Sequence, residues 1–246
     1  GKEVCDLLVV FENNVILFSD KDIKFNDEID IHIAWKRWFK RAVIESATQL
    51  HGAEKFLKEQ SDRLFLDKEC KERFPITIDN KMRFFLIAVT SNSAIPAFNY
   101  FGRIAEGSSG TLVNCFPFGI KESMEQPFTV GDLYPDKTFI HVLDELSLKL
   151  LFSELDTITD FVDYLKEKER VVRTGFLGLS PGEDDTLGAY LIGHGLIVDD
   201  KKVPKNSFVR IAEHEWTELK KSQLYEYYTA LKKGSYFWDE TVQRFS

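Results

Sequence analysis

The chain opens with two apolar runs parted by a short polar stretch and then settles into helical spacing. Two apolar runs, Leu7 to Phe11 and Val15 to Phe18, flank Glu12-Asn13-Asn14. Asn tolerates the positive φ that a tight turn needs, so residues 5–21 read as a β-hairpin. With Asn13 and Asn14 as the turn, Asp6 faces Lys21 across the ladder and Ser19 faces Leu8, all on one side. Asp20 points to the other face, beside Leu7. After an acid-rich connector over 22–30, a long amphipathic helix is predicted from about Ala34 to Glu59. Its apolar positions are Trp35, Trp38, Phe39, Ala42, Val43, Ala47, Leu50, Ala53 and Leu57, the i, i+3, i+4, i+7 spacing of a buried stripe. At about 100° per residue the stripe centres near Trp35, takes in Ser46 and Gln49, and leaves Glu45 at its edge.

Further along, Lys81 to Thr90 is a continuous apolar run of the kind found mid-sheet with both faces covered. Residues 91–130 read as loops rich in Ser, Asn, Gly and Pro. Lys137 to Leu143 is a second strand, with His141 in its middle as a satisfied core or edge histidine rather than a ligand. Asp144 caps a helix to about Leu155, and another helix follows from Thr157 to Arg170 with the run Lys166 to Arg170 at its solvated end. Gly178-Leu179-Ser180-Pro181-Gly182 matches a nucleophile-elbow spacing, but Pro181 has no N–H to offer an oxyanion. Ser180 with Glu183 reads instead as a capping box. Residues 187–198 pass from helix to strand, 208–212 form a short strand, 216–232 a helix, and 235–245 a last helix with an aromatic cluster. The fold expected is α/β, a mixed sheet with flanking helices. Its core is assigned to residues 1–125 and a C-terminal α/β region to 126–246, possible parts of one domain.

Composition narrows the chemistry. The 246 residues are 43% hydrophobic and 29% charged, with 21 Phe that fall mostly in periodic runs and so read as core. A net charge of −8 argues against general coating of nucleic acid, so any such contact is local. Cys5, Cys70 and Cys115 are widely spaced and lack a CxxC, which points to a reducing compartment without structural zinc. No leader and no span of membrane length are seen, and the location expected is cytoplasmic.

Asp6, Ser19 and Lys21 on this hairpin resemble the core of the PD-(D/E)xK nuclease superfamily. There an Asp on one strand and a (D/E)xK tripeptide on the next hold Mg²⁺ and the attacking water. Asp6 matches the first acid and Lys21 the lysine, while Ser19 stands where the second acid is expected, and a hydroxyl is a poor Mg²⁺ ligand. More of the chain, including residues 154–165 and 235–239, is similar to an uncharacterised bacterial family that shares this hairpin and supplies no activity. The resemblance implies a restriction-endonuclease-like core, preceded in such nucleases by a helix and a strand, so an N-terminal segment is expected before Gly1.

What the resemblance implies for the site is a metal-dependent nuclease or phosphodiesterase using Mg²⁺ or Mn²⁺. Asp6 and Lys21 are its catalytic candidates. Asp6 binds metal together with Glu45, the candidate to compensate for Ser19, or with Asp20, which needs a β-bulge to turn inward. Lys36, Arg37, Lys40 and Arg41, with Gln49, are the substrate-binding candidates. The competing readings are a solvated basic face, a surface Glu45, and a buried structural Asp6–Lys21 pair on an inactive scaffold. Such a scaffold binds a protein or nucleic-acid partner or a second copy.

Overall fold

A computed structural model describes residues 3–103, 108–193, 195–196 and 208–232. The fold is α/β, with two mixed sheets flanked by helices. The first sheet has the order β1-β2-β3-β6, built from β1 (Leu7–Phe11), β2 (Asn14–Lys21), β3 (Arg83–Thr90) and β6 (Ile140–Asp144). β1 runs antiparallel to β2, and β2, β3 and β6 are parallel. The second sheet has the order β5-β4-β7-β8, from β4 (Val113–Cys115), β5 (Thr129–Val130), β7 (Leu177–Ser180) and β8 (Val209–Arg210). Because β4 precedes residue 125 yet sits in the second sheet, and β6 follows it yet sits in the first, the two sheets do not divide the chain there.

Between β2 and β3 the predicted long helix is present, in three continuous pieces. These are α1 (Ile31–Phe39), a π-helical turn (Lys40–Ile44) and α2 (Glu45–Gln60). Phe39, Val43 and Ala47 recur at every fourth residue, a longer step than the α-helix repeat, and all three are buried. A π turn inserts one residue, which keeps this row on the sheet while rotating the following helix by about 100°. Asp30 opens α1 by accepting the N–H groups of His32 and Ile33.

Alternation along β2 and β3 sends successive residues into two different cores. Val15, Leu17, Leu86 and Ala88 pack with Trp35, Trp38, Ala42 and Leu50 of the long helix. Ile16, Phe18, Phe85 and Ile87 pack on the other face against Leu151, Phe161, Val162 and Leu165. Those residues lie on α5 (Glu145–Glu154) and α6 (Ile158–Arg173). Covering both faces is why these strands are apolar throughout rather than alternating. Each fully buried Leu, Ile or Phe contributes about 1.5–3 kcal/mol.

The stretch expected to be loops, 91–130, also holds α3 (Ala94–Phe101) and α4 (Ile120–Glu125). Pro96 falls in the first turn of α3, where a missing N–H is tolerated. The last helical stretches are α7 (Glu183–Gly193), α8 (Glu215–Lys220) and residues 223–232, the predicted helix over 216–232 being broken at 221–222. The expected strand at 197–198 and the helix over 235–245 lie outside the described residues.

Candidate functional site at the carboxyl ends of the parallel strands

β2, β3 and β6 end level with one another: Lys21 pairs with Thr90, and Thr90 with Asp144. Ligands of open α/β sheets bind beyond the carboxyl ends of their strands, and the residues of interest from the hairpin lie there.

The hairpin's register differs from the expected one by two residues. Phe11 pairs with Asn14, Leu8 with Leu17 and Leu7 with Phe18, so Glu12 and Asn13 form the turn, Glu12 taking the positive φ of 51°. Asn14 is buried in the strand and its side-chain amide donates to Phe11 O. Continued past Leu7, this register sets Asp6 opposite Ser19, and Lys21 falls diagonal to it. A two-residue slip keeps every side chain on its face. Asp6, Ser19 and Lys21 therefore still share the side covered by the long helix, and Asp20 leaves on the other.

The expected Asp6–Lys21 pair is not formed. Asp6 is exposed, and its Oδ2 accepts the backbone N–H of Asp20 at 2.7 Å. Lys21 is half-buried, and among the described residues it has no carboxylate within ion-pair distance. Ser19 is fully buried. Its hydroxyl lies 3.3 Å from Ser46 Oγ and 3.4 Å from Gln49 Oε1, and Ser46 in turn donates to Ala42 O at 2.8 Å. The helix thus brings Ser46 and Gln49 to the strand end, where they meet Ser19 rather than Asp6 or Lys21. Next to Asp6, burial pushes the Cys5 thiol up to about 11, helped by the charges of Asp6 and Glu3, so it stays protonated.

Glu45 is not at this edge. The π turn rotates it outward, and it stands exposed on the surface. Arg37, Lys40 and Arg41 are also exposed, and Lys36 is paired with Glu125 at 2.7 Å. Among the described residues no three His, Cys, Asp or Glu side chains are grouped to hold a metal ion.

Three further polar residues stand at this end: Asn92 and Glu145, which the sequence did not single out, and Asp144, which it read as a helix cap. Asn92, at φ 67°, donates its side-chain amide to Asp22 at 2.6 Å. Glu145 carries a buried, unpartnered Oε2, and its carboxyl is raised by burial and then by the Asp144 and Asp22 charges. Asp144 itself is buried and accepts N–H groups from Leu112, Leu146 and Ser147, which fastens β4 to β6 and caps α5. The signal for these residues was the acid-rich connector and the helix cap, each of which reads as ordinary surface chemistry in a sequence.

Elsewhere, three local expectations are corrected. Ser180 is sealed in β7, where it donates to Gly182 O and meets Thr186 Oγ1, so it does not form a capping box. Glu183 instead accepts Tyr164 Oη at 2.6 Å and Lys168 Nζ at 2.5 Å. Lys168, expected on a wet helix end, is 1% exposed. His141 is in the core, but among the described residues neither ring nitrogen has a partner, so it is not the satisfied histidine expected.

No family model, curated protein or solved structure matches the chain.

Proposed function

We propose that this strand end hydrolyses phosphodiester bonds in nucleic acid in the manner of PD-(D/E)xK enzymes. The observation that supports the reading is an ammonium without a carboxylate partner on the same face as a carboxylate held in place. Lys21 is unpaired among the described residues, while Asp6 is fastened to the Asp20 N–H. A lysine retained for stability alone is expected to be paired where it is covered.

Mg²⁺ takes as few as one or two protein carboxylates when waters and substrate phosphate complete its octahedron. Asp6 meets that lower requirement, since only its Oδ2 is engaged. Asp20 and Glu45 do not join it, the first facing away and the second exposed on the helix. A bound Mg²⁺ or Mn²⁺ supplies a polarised phosphoryl oxygen and a more acidic water. Within the chain, Lys21 stabilises the negative charge that grows on the phosphorane oxygens. Gln49, already beside Ser19, presents an amide to the same space. Exposed Arg37, Lys40 and Arg41 provide the local phosphate contact that a chain of charge −8 requires.

With a single protein carboxylate, metal affinity should depend on substrate phosphate. Electron paramagnetic resonance of Mn²⁺ with a phosphorothioate oligonucleotide tests this. Wild type should retain the ion only when the oligonucleotide is present, and Asp6→Asn should lose it. Equal retention by both proteins would sink the assignment.

A second reading has its own support. The position of the second acid is a serine sealed against Ser46 and Gln49, which suits a scaffold that binds a protein or nucleic-acid partner without cleaving. Oligonucleotide binding that is indifferent to chelator and to Asp6→Asn would favour it.

A further inference from the structure

A cavity of about 560 Å³ opens between α5, the start of α7 and the segment 210–220. Its size is that of a small-molecule site. Leu146 and Leu150 of α5 and Leu179 of β7 supply an apolar floor. The polar wall is set by how its charges are already used. Asp184 accepts the Thr111 hydroxyl at 3.0 Å. Asp185 accepts the backbone N–H groups of His214 and Trp216, both at 3.1 Å, which holds His214 at a left-handed φ of 73° on the rim. Lys220 lies over the Trp216 ring, 5.4 Å from its centroid.

Arg210 is different. It is exposed and has no side-chain partner among the described residues. Its strand pairs it with Leu179, directly beside the floor. Glu213 is on the same rim but in a loop, whereas Arg210 is carried by a strand. Both oxygens of Asp185 and one of Asp184 are thus taken by internal donors, and the cation carried by the strand is open.

The geometry points to a binding site for a small amphipathic anion, with an aromatic or aliphatic body on the leucine floor and one anionic end on Arg210. A guanidinium takes such an end in paired hydrogen bonds, and the floor removes apolar surface from water.

The test is a fluorescence titration of the full chain with 8-anilinonaphthalene-1-sulfonate, which has this shape and charge. Saturable binding at one site is expected. Arg210→Ala should weaken it about tenfold, as the loss of one charge-assisted contact implies. Leu146→Trp should abolish it by filling the cavity. Leu146 is 41% exposed, so the larger ring is accommodated, and an unchanged denaturation midpoint checks that both variants are folded. N-phenyl-1-naphthylamine, the same body without the sulfonate, should bind wild type more weakly and be insensitive to Arg210→Ala. Non-saturable binding, or affinity unchanged in Leu146→Trp, overturns the site. Equal affinity for the charged and neutral dyes overturns its preference for an anion.

Discussion

Two lysine–carboxylate groupings in this chain have opposite surroundings. Lys168 and Glu183 are almost wholly buried, 2.5 Å apart, with Tyr164 taking the other carboxylate oxygen. Lys21, half-buried at the end of β2, and Asp6, exposed just before β1, have no ion pair between them. In the first grouping every strong donor and acceptor is used within the fold, and the chemistry is spent on holding α6 to α7. In the second an ammonium and one carboxylate oxygen are left over. The sequence shows the same residue types in both, and burial and pairing are what separate a structural pair from a candidate site.

The largest effect should come from breaking the sealed pair. Glu183→Ala leaves Lys168 buried without a counter-charge and should cost about 3–5 kcal/mol, read as a fall in the urea midpoint. The double variant Lys168→Met/Glu183→Gln should recover most of that loss, because no buried charge remains. If Glu183→Ala were as stable as wild type, the contrast between the two groupings would fail.

Next comes His141, in the same interior. Burial, and then the charges of Lys168, Arg83 and Arg173, hold its imidazole well below its usual 6.5. The unfolded chain therefore binds the extra proton first, and stability falls as pH drops below about 6.5, by up to about 1.4 kcal/mol per pH unit. Denaturation of wild type and His141→Leu at pH 7.5 and 5.5 checks this, and the variant should show the shallower loss. Smaller still is Ser19→Ala. It removes two long contacts and should cost about 1 kcal/mol or less, so a loss several times larger would mean that the hydroxyl anchors the helix to the strand.

The α/β class, the hairpin, the long helix and the central strand were legible because each rests on a strong period. The hairpin's partnering was not. Turns at 12–13 and 13–14 differ by a two-residue slip that leaves Leu8, Leu17 and Ser19 on the same face, so hydrophobicity cannot choose between them. The favourable Asn13-Asn14 turn was outweighed by burying Asn14 with its amide on Phe11 O. Glu45 was set at the stripe's edge because a uniform 100° step passes over the π turn, and its competing surface reading is the one observed. The signal was in the fourfold spacing of Phe39, Val43 and Ala47. Lys168 was read as wet from its charged neighbours, and only the fold brings Glu183 to it across the 14 residues between them.

The most direct test of the strand-end account is cleavage of single- and double-stranded oligonucleotides by wild type and Lys21→Ala in Mg²⁺ or Mn²⁺, with unfolding midpoints measured on the same samples. The account predicts metal-dependent cleavage by wild type and its loss in Lys21→Ala at a stability within about 0.5 kcal/mol of wild type, as suits a half-buried side chain without an ion-pair partner among the described residues. A variant that cleaves as well as wild type, or one that is inactive because it is unfolded, would contradict it.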